Sequence, residues 1–224
     1  MKKNIFKIVG ISIFILAFIS LFYSKYEENL LRKEFSNLVS KDLYSDKYDT
    51  KTKTTFRYRK LEKGMKRYFK DYSDNLKNLK SLFSDKDLKH ILSADNYAKD
   101  GKEFVNSKIY LTAYREKFDK SMDTLSYLDT EKGVMSYIDT KKLNSHFVKL
   151  YKSMMLDDNM KKELNKNKEY LKNANNNINN LLGVYESTLN FLSSTNTWTV
   201  RNGQIVFTST NDLNRYNELI SSIK

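Results

Sequence analysis

The chain contains no proline in 224 residues and only six glycines. Proline removes a backbone donor and clashes inside a helix, so its absence leaves this sequence free to form long, uninterrupted helices. Aromatic residues make up 13% of the chain, which supplies large side chains for a buried core. An AT-rich coding sequence would also deplete proline and enrich lysine, asparagine and tyrosine, so the composition permits an all-α fold without requiring one.

Apolar residues recur at spacings of three and four along most of the chain, which is the pattern of amphipathic helices. An early stripe consists of Leu31, Phe35, Leu38 and Val39. The strongest stripe consists of Leu61, Met65, Tyr68, Tyr72, Leu76, Leu79 and Phe83. Between the two stripes, residues 44–55 are polar and have no periodic apolar face, which predicts a loop.

The pattern continues after the strongest stripe in separate segments. Ser84 is the predicted N-cap of a short helix, and Asp100-Gly101 predicts a break after it. The short helix carries Leu88, Ile91 and Leu92. A long helix is then predicted from the apolar residues Phe104, Leu111, Tyr114, Phe118, Met122 and Leu125. Gly133 is expected to interrupt the pattern after that helix.

Two more helices are predicted before the C-terminal region. The first carries Leu143, Phe147, Leu150 and Met154. Asp157 and Asp158 offer an N-cap for the second. Its stripe consists of Met160, Leu164, Leu171, Ala174, Ile178, Leu181, Tyr185, Leu189 and Leu192. Residues 173–180 in its centre are rich in asparagine, a poor helix former, so packing must hold that stretch if it is helical.

Each stripe covers only one face of its helix, so the helices must bury these faces against one another. The predicted fold is therefore all-α, an antiparallel helical bundle with long helices. Oligomeric coiled coils are the competing use of such stripes. They are disfavoured because the stripes are interrupted and lack sustained charge pairing at the flanking positions.

The last part of the chain, residues 197–224, predicts a β-hairpin followed by a short helix. Trp198 and Val200, and then Ile205 and Phe207, alternate with polar residues on either side of Asn202-Gly203, a dipeptide typical of tight hairpins. Ser209 and Asp212 resemble a capping box for a final helix. That helix carries Leu213, Tyr216, Leu219, Ile220 and Ile223. An isolated hairpin is marginal in water, so we expect Trp198, Gly203, Phe207 and Tyr216 to be structural residues that dock it on the bundle.

The N-terminus carries Lys2, Lys3 and Lys7, followed by an uncharged run from Ile8 to Ser24. A hydrocarbon core of about 30 Å needs roughly 20 helical residues, and residues 5–23 approach that length if Lys7 reaches back to the headgroups. A cleaved signal peptide shares this pattern, but cleavage after Ser20 or Ser24 would put Phe18 or Phe22 three residues from the cut, where a small residue is required. Residues 1–24 are therefore predicted to be an uncleaved transmembrane anchor.

The side of the membrane on which residues 25–224 lie is not decided by the flanking charges, because basic residues stand on both sides of the run. A short basic N-terminus before a first apolar helix is the usual arrangement for export. We therefore expect a single-pass protein of the cell membrane whose helical domain, residues 25–224, is extracytoplasmic.

Sequence signals for catalysis and cofactors are weak. His90 and His146 stand alone, and the chain has no cysteine and no phosphate-binding or nucleophile motif. The pairs Glu27-Glu28 and Asp157-Asp158 sit where a membrane flank and a helix start favour charge. Tyr68, Phe69 and Tyr72 lie beside Lys66, Arg67 and Lys70, a combination that would suit nucleic acid. Their helical spacing instead predicts core residues with a solvated basic rim.

The order of residues in the last forty positions resembles an uncharacterised bacterial envelope family, the YiaF-like domain of unknown function. The resemblance rests mainly on residues 198–219 and is carried by Val200, Asn202-Gly203, Ile205, Phe207, Tyr216-Asn217 and Leu219. A weaker likeness covers Phe35, Leu38 and Leu43. It implies an exported, membrane-tethered helical domain and brings no catalytic residues. Unlike the lipoproteins of that family, this chain has no cysteine for a lipid, so the apolar helix would be its anchor.

The formal net charge of +13 attracts anionic lipid or polymer over short distances, although acidic residues are interspersed among the lysines. The predicted function is a non-enzymatic, membrane-anchored envelope interaction module without cofactors or nucleic acid, whose basic helical surface meets an envelope protein or an anionic surface polymer. The alternative is a small-ligand sensor or carrier with an apolar pocket between the helices. The oligomeric state is left open.

Overall fold

The computed structural model of the chain describes residues 21–223; of residues 2–20 it gives only that they belong to the first helix. Its elements, in chain order, are α1 (Lys2–Val39), α2 (Phe56–Phe83), α3 (Lys86–His90), α4 (Ala94–Asp100), α5 (Val105–Leu128), α6 (Glu131–Met135), α7 (Ser145–Met155), α8 (Asp158–Ser194), β1 (Trp198–Arg201), β2 (Gln204–Phe207) and α9 (Thr210–Ser221). The prediction of a mostly helical chain with a small C-terminal hairpin and a final helix is confirmed.

The hydrophobic stripes locate the long helices correctly. Residues 44–55 contain no regular element, as their polar composition predicts. The asparagine-rich centre of α8 is helical, and Ile178 within it is buried, so one apolar contact surface holds a stretch of poor helix formers.

Two predicted helix boundaries are wrong. The N-cap of α3 is Asp85, whose carboxylate accepts backbone N–H groups at 2.8 and 3.2 Å, whereas the Ser84 hydroxyl donates back to a carbonyl of α2. Gly133 does not break the chain but lies inside α6, where its N–H donates to the Thr130 hydroxyl at 2.9 Å. In both places the helix begins at the residue whose side-chain oxygen can accept the first free N–H groups, Asp85 for α3 and Thr130 for α6, and the local sequence does not show which residue this is.

The chain divides into two compact units. Unit 1 comprises Met1–Asp74 and Leu128–Leu164, and unit 2 comprises Asn75–Tyr127 and Asn165–Lys224. Helices α2 and α8 each contribute residues to both units. The hydrophobic periodicity did not indicate this division, because both long helices run through it without a break.

Unit 1 has an aromatic core. The Tyr68 ring meets the rings of Phe69 and Tyr137 edge-on, with centroids 5.5 Å apart in both pairs. At Gly64 on α2 the neighbouring backbone approaches so closely that a Cβ atom would lie 2.9 Å from both the Tyr137 carbonyl oxygen and the Ile138 side chain. The segment after α6 therefore packs directly on the backbone of α2, which only glycine permits at this position.

The core of unit 2 is formed by the apolar faces of α5 and α8 together with the hairpin. Fully buried members of these two helices are Leu111, Phe118, Leu125, Leu182, Leu189 and Leu192. The predicted stripe assigned Leu181 to this face, but Leu182 is the buried residue and Leu181 is partly exposed. Arg115 on α5 ties the helices together at their rim by donating to Asn179 and Glu186, each at 2.8 Å.

Within residues 21–223, no helix is long and apolar enough to cross a membrane. Most of the predicted anchor, residues 1–24, lies outside that described range.

Candidate functional site

A group of charged side chains is buried in unit 1, where α1 and α2 meet the connecting segment that precedes α2. Glu34, Glu62 and Lys66 are exposed by 5%, 0% and 4%, respectively, and we call these three residues the charge cluster. Glu27, exposed by 2%, lies close by on α1. Charged residues are almost never this deeply buried unless they are paired.

Helical spacing explains how these residues come to point inward. Glu27 and Glu34 are seven residues apart on α1 and share a face with the buried residues Leu31 and Leu38. Glu62 and Lys66 are four residues apart on α2 and lie on one face of that helix. The inward faces of α1 and α2 thus each carry charge among their apolar residues.

The Glu62 carboxylate captures the end of the connecting segment. It accepts the backbone N–H groups of Lys53 and Thr54 at 2.9 and 2.8 Å and the Thr54 hydroxyl at 2.7 Å. The Glu27 carboxylate accepts the next N–H group, that of Thr55, at 2.8 Å. Three consecutive amides therefore bind carboxylates just before α2 begins, where the positive end of the helix dipole also favours negative charge.

Lys66 completes the charge cluster. Its ammonium lies 2.9 Å from Glu62 and 3.1 Å from Glu34, and it also donates to the Lys51 carbonyl oxygen. An ammonium has three donors, so these contacts occupy all of them. Lys53 adds a second cation at 2.6 Å from Glu34. The negative charges of Glu34 and Glu62 are therefore matched by the positive charges of Lys66 and Lys53.

The pKa values in the charge cluster reflect this pairing. Burial alone would raise the pKa of Glu34 and Glu62, but hydrogen bonds from Lys53, Lys66 and Thr54 outweigh it and hold both below their ordinary value. Burial would lower the pKa of Lys66, and its bonds to the two glutamates raise it instead. All three groups are thus charged at neutral pH.

A cavity of about 330 Å³ adjoins the charge cluster in unit 1. It is lined by Glu34, Asn37, Leu38, Lys41, Asp49, Lys51, Thr52, Lys53 and Lys66. Charged and amide groups dominate this lining, and the donors of Lys66 are already occupied. The geometry clamps the connecting segment onto α1 and α2.

The sequence interpretation missed this site. Lys66 was predicted to lie in a solvated basic rim beside Tyr68, Phe69 and Tyr72; those aromatics are buried as predicted, but Lys66 is buried as well. Glu27 was expected at a membrane flank and is instead buried against Thr55. One signal was available, since Glu27, Glu34, Glu62 and Lys66 all fall on apolar helical faces.

The predicted structural residues Trp198 and Tyr216 lie in unit 2. The Trp198 ring is buried, stacks on Phe104 with centroids 5.8 Å apart and meets Tyr97 edge-on at 6.1 Å. Its indole N–H donates to the Leu192 carbonyl oxygen at 2.7 Å. The Tyr216 hydroxyl lies 3.4 Å from that of Tyr97. Helices α4 and α8 and Phe104, the residue before α5, thus hold Trp198, and Tyr216 connects α9 to α4.

Phe207 is the last residue of β2, and Gly203 lies in the hairpin turn before that strand. The Phe207 ring is half-buried between Phe191, at 6.5 Å, and Tyr216, at 5.3 Å. Gly203 has φ of +73° and follows Asn202 at +51°, as a tight hairpin turn requires. Phe207 thus packs between two aromatic rings, and Gly203 forms the turn.

The capping box predicted after the hairpin forms only by half. The Ser209 hydroxyl accepts the Asp212 N–H at 3.3 Å, as expected of an N-cap. The Asp212 carboxylate does not reach back to Ser209 but accepts the Thr197 hydroxyl at 2.6 Å. The start of α9 is thereby fastened to the residue preceding β1.

The remaining candidates from the sequence have ordinary surroundings. His90 and His146 are both exposed. Asp157 accepts the Met160 N–H at 2.7 Å and so caps α8, as predicted. Glu28 pairs with Arg32 on the surface of α1 at 2.7 Å. Within residues 21–223, no group of three or more metal-ligating side chains converges.

No family model, curated protein or solved structure matches the chain. The resemblance of residues 198–219 to the YiaF-like envelope family stays a prediction from the sequence.

Proposed function

We propose that the chain is a membrane-tethered, non-enzymatic interaction module of the cell envelope, anchored by residues 1–24 and presenting an extracytoplasmic basic helical surface. Its partner is an envelope protein or an anionic surface polymer. The observation that carries the proposal is the continuity of α1, which runs from Lys2 to Val39 without a break and contributes Leu31 and Leu38 to the core of unit 1.

This continuity supports an anchor without a flexible linker. The uncharged run ends at Ser24, and Glu27, the first buried side chain within residues 21–39 of α1, follows three residues later, or about 4.5 Å along the helix axis. The Glu27 bond to Thr55 and the charge cluster then clamp α1 to α2. An anchor in residues 1–24 would hold unit 1 directly at the membrane surface.

The charge balance supports the choice of partner. The chain has 40 basic and 27 acidic residues, and most lysines of α8 are exposed. Such a surface attracts anionic polymers, with an interaction that salt screens over about 8 Å at physiological ionic strength. The charge cluster supports a structural role for these residues, because its charged groups bind one another and the connecting segment.

The anchor is tested by extracting membranes that contain the full chain with high salt and with alkaline carbonate, and by adding protease to the extracytoplasmic side. We expect the protein to remain in the membrane and the domain to be digested. An intact soluble form that lacks residues 1–24 would overturn the anchor.

The polymer partner is tested with the full chain in nanodiscs of neutral lipid and fluorescent polyglutamate as the anionic probe, with a neutral polymer of similar length as the control. Binding of polyglutamate should fall steeply as salt approaches 0.15 M, because screening weakens the attraction. Equal binding of both polymers would remove the electrostatic part of the proposal and leave a protein partner, which crosslinking in the native membrane would capture.

A further inference from the structure

Large apolar side chains are exposed together at the start of the described part of α1. Phe22, Tyr23 and Tyr26 on α1 and Phe56 at the start of α2 are exposed by 63%, 43%, 63% and 79%, respectively. We call these four residues the aromatic patch. They all belong to unit 1.

The fold brings Phe56 to the patch from a position distant in the sequence. The Tyr23 and Phe56 rings meet edge-on with centroids 6.5 Å apart, and the Tyr23 hydroxyl is hydrogen-bonded to that of Thr55. The Glu27 carboxylate fixes the same segment through the Thr55 N–H. Phe56 is therefore held beside α1 while its own ring stays in solvent.

Phe56 also has an unusual backbone conformation. Its φ is +45°, a region that a bulky residue enters only with strain. Strain of this kind persists where the surroundings impose it, here the carboxylates that bind Thr54 and Thr55. The exposed position of the Phe56 ring is thus imposed by a constrained backbone.

The position of the patch along α1 identifies what covers it. The uncharged run Ile8–Ser24 belongs to the same helix and extends about 25 Å, close to the thickness of a hydrocarbon core. Phe22 and Tyr23 lie at the C-terminal end of that run and Tyr26 lies two residues beyond it, so the three span about 6 Å along the axis. Aromatic side chains are enriched at this level of a bilayer, where their rings sit among the headgroups.

The exposed charges next to the patch fit the same surface. Lys25 lies between Tyr23 and Tyr26, and Arg57 follows Phe56; both are exposed. Cations at this level are attracted to anionic headgroups. Glu27 does not oppose them at the surface, because it is buried.

We infer that the aromatic patch is a lipid-binding surface, which inserts into the headgroup region of the membrane and seats unit 1 on the bilayer. The inference rests on the proposed anchor and adds a second contact with lipid, made by the first residue of α2, outside the anchor helix. Phe56 is the deciding residue, since it belongs to α2.

The test uses the absence of native cysteine, which allows one fluorophore to be placed at a chosen position. Full-length Phe56→Cys and Tyr26→Cys are labelled with an environment-sensitive dye and reconstituted into vesicles of phosphatidylcholine and phosphatidylglycerol. Tyr170→Cys is the matched control, an aromatic residue of α8 with 61% exposure. Spin-labelled lipids then quench any dye that lies in the bilayer, and aqueous iodide quenches any dye in water.

We expect several-fold stronger lipid quenching at residues 56 and 26 than at residue 170, with the reverse order for iodide. A dye at residue 56 that iodide reaches freely, in protein that resists carbonate, would refute the lipid surface and leave the anchor intact. Shielding from both quenchers would mean that a second copy of the chain covers the patch, which also refutes it. Release of the protein by carbonate would overturn the anchor and the inference together.

Discussion

Replacing Lys66 by methionine removes the central cation of the charge cluster while keeping a long apolar side chain. The ammonium is within 3.1 Å of two buried carboxylates. The substitution would leave Glu34 with Lys53 and the Asn37 amide, and Glu62 with its hydroxyl and amide donors. Removing one partner of a buried ion pair typically costs about 3–5 kcal/mol, because the remaining charge stays buried. We expect Lys66→Met to lower the free energy of unfolding by about that amount.

The measurement is urea unfolding of the full chain in detergent micelles, followed by far-ultraviolet circular dichroism. Lys63→Met is the matched control, since Lys63 lies on the same helix but is exposed, and it should change stability by less than about 0.5 kcal/mol. Glu62→Gln combined with Lys66→Met should recover part of the loss, because the unpaired negative charge is removed. A loss below about 1 kcal/mol for Lys66→Met, the value typical of exposed pairs, would refute the argument that the cluster is desolvated.

The pKa values of Glu34 and Glu62 are lowered in the folded state, so both ionised carboxylates stabilise the fold at any pH above the ordinary carboxyl pKa of 4.5. This stabilisation is lost as the pH falls through the lowered pKa values. The melting temperature of the wild type should therefore fall in acid, and that of Glu62→Gln should fall less. Gly64→Ala should destabilise the fold by about 1–3 kcal/mol, because the new Cβ would clash with backbone. Gly183→Ala, in open space on α8, should stabilise it by about 0.5–1 kcal/mol. Equal effects of the two variants in urea titrations would contradict the close approach at Gly64. Trp198→Ala should cost about 3–5 kcal/mol and Trp198→Phe distinctly less, since only the alanine removes the stacked ring, and a water-like emission maximum of the wild-type tryptophan would contradict its burial.

The elements that depend on local chemistry were predictable from the sequence. The spacing of Leu61, Met65 and Tyr68 places α2, because helix period and one-sided burial are properties of a single segment. Asn202-Gly203 predicts the hairpin, since both residues tolerate the positive φ that the turn requires. The absence of proline allowed helices as long as α1 and α8 to form.

What only the tertiary structure decided is which polar residues are buried and what they meet. The sequence places Lys66 on an apolar helical face, but its ammonium can be buried there only because Glu34 on another helix and the carbonyl of Lys51 lie beside it. Phe56 stands beside Tyr23 only because Glu27 and Glu62 bind the amides that precede it. Such contacts join residues many positions apart, and their free energy depends on desolvation and distance, neither of which a local pattern records.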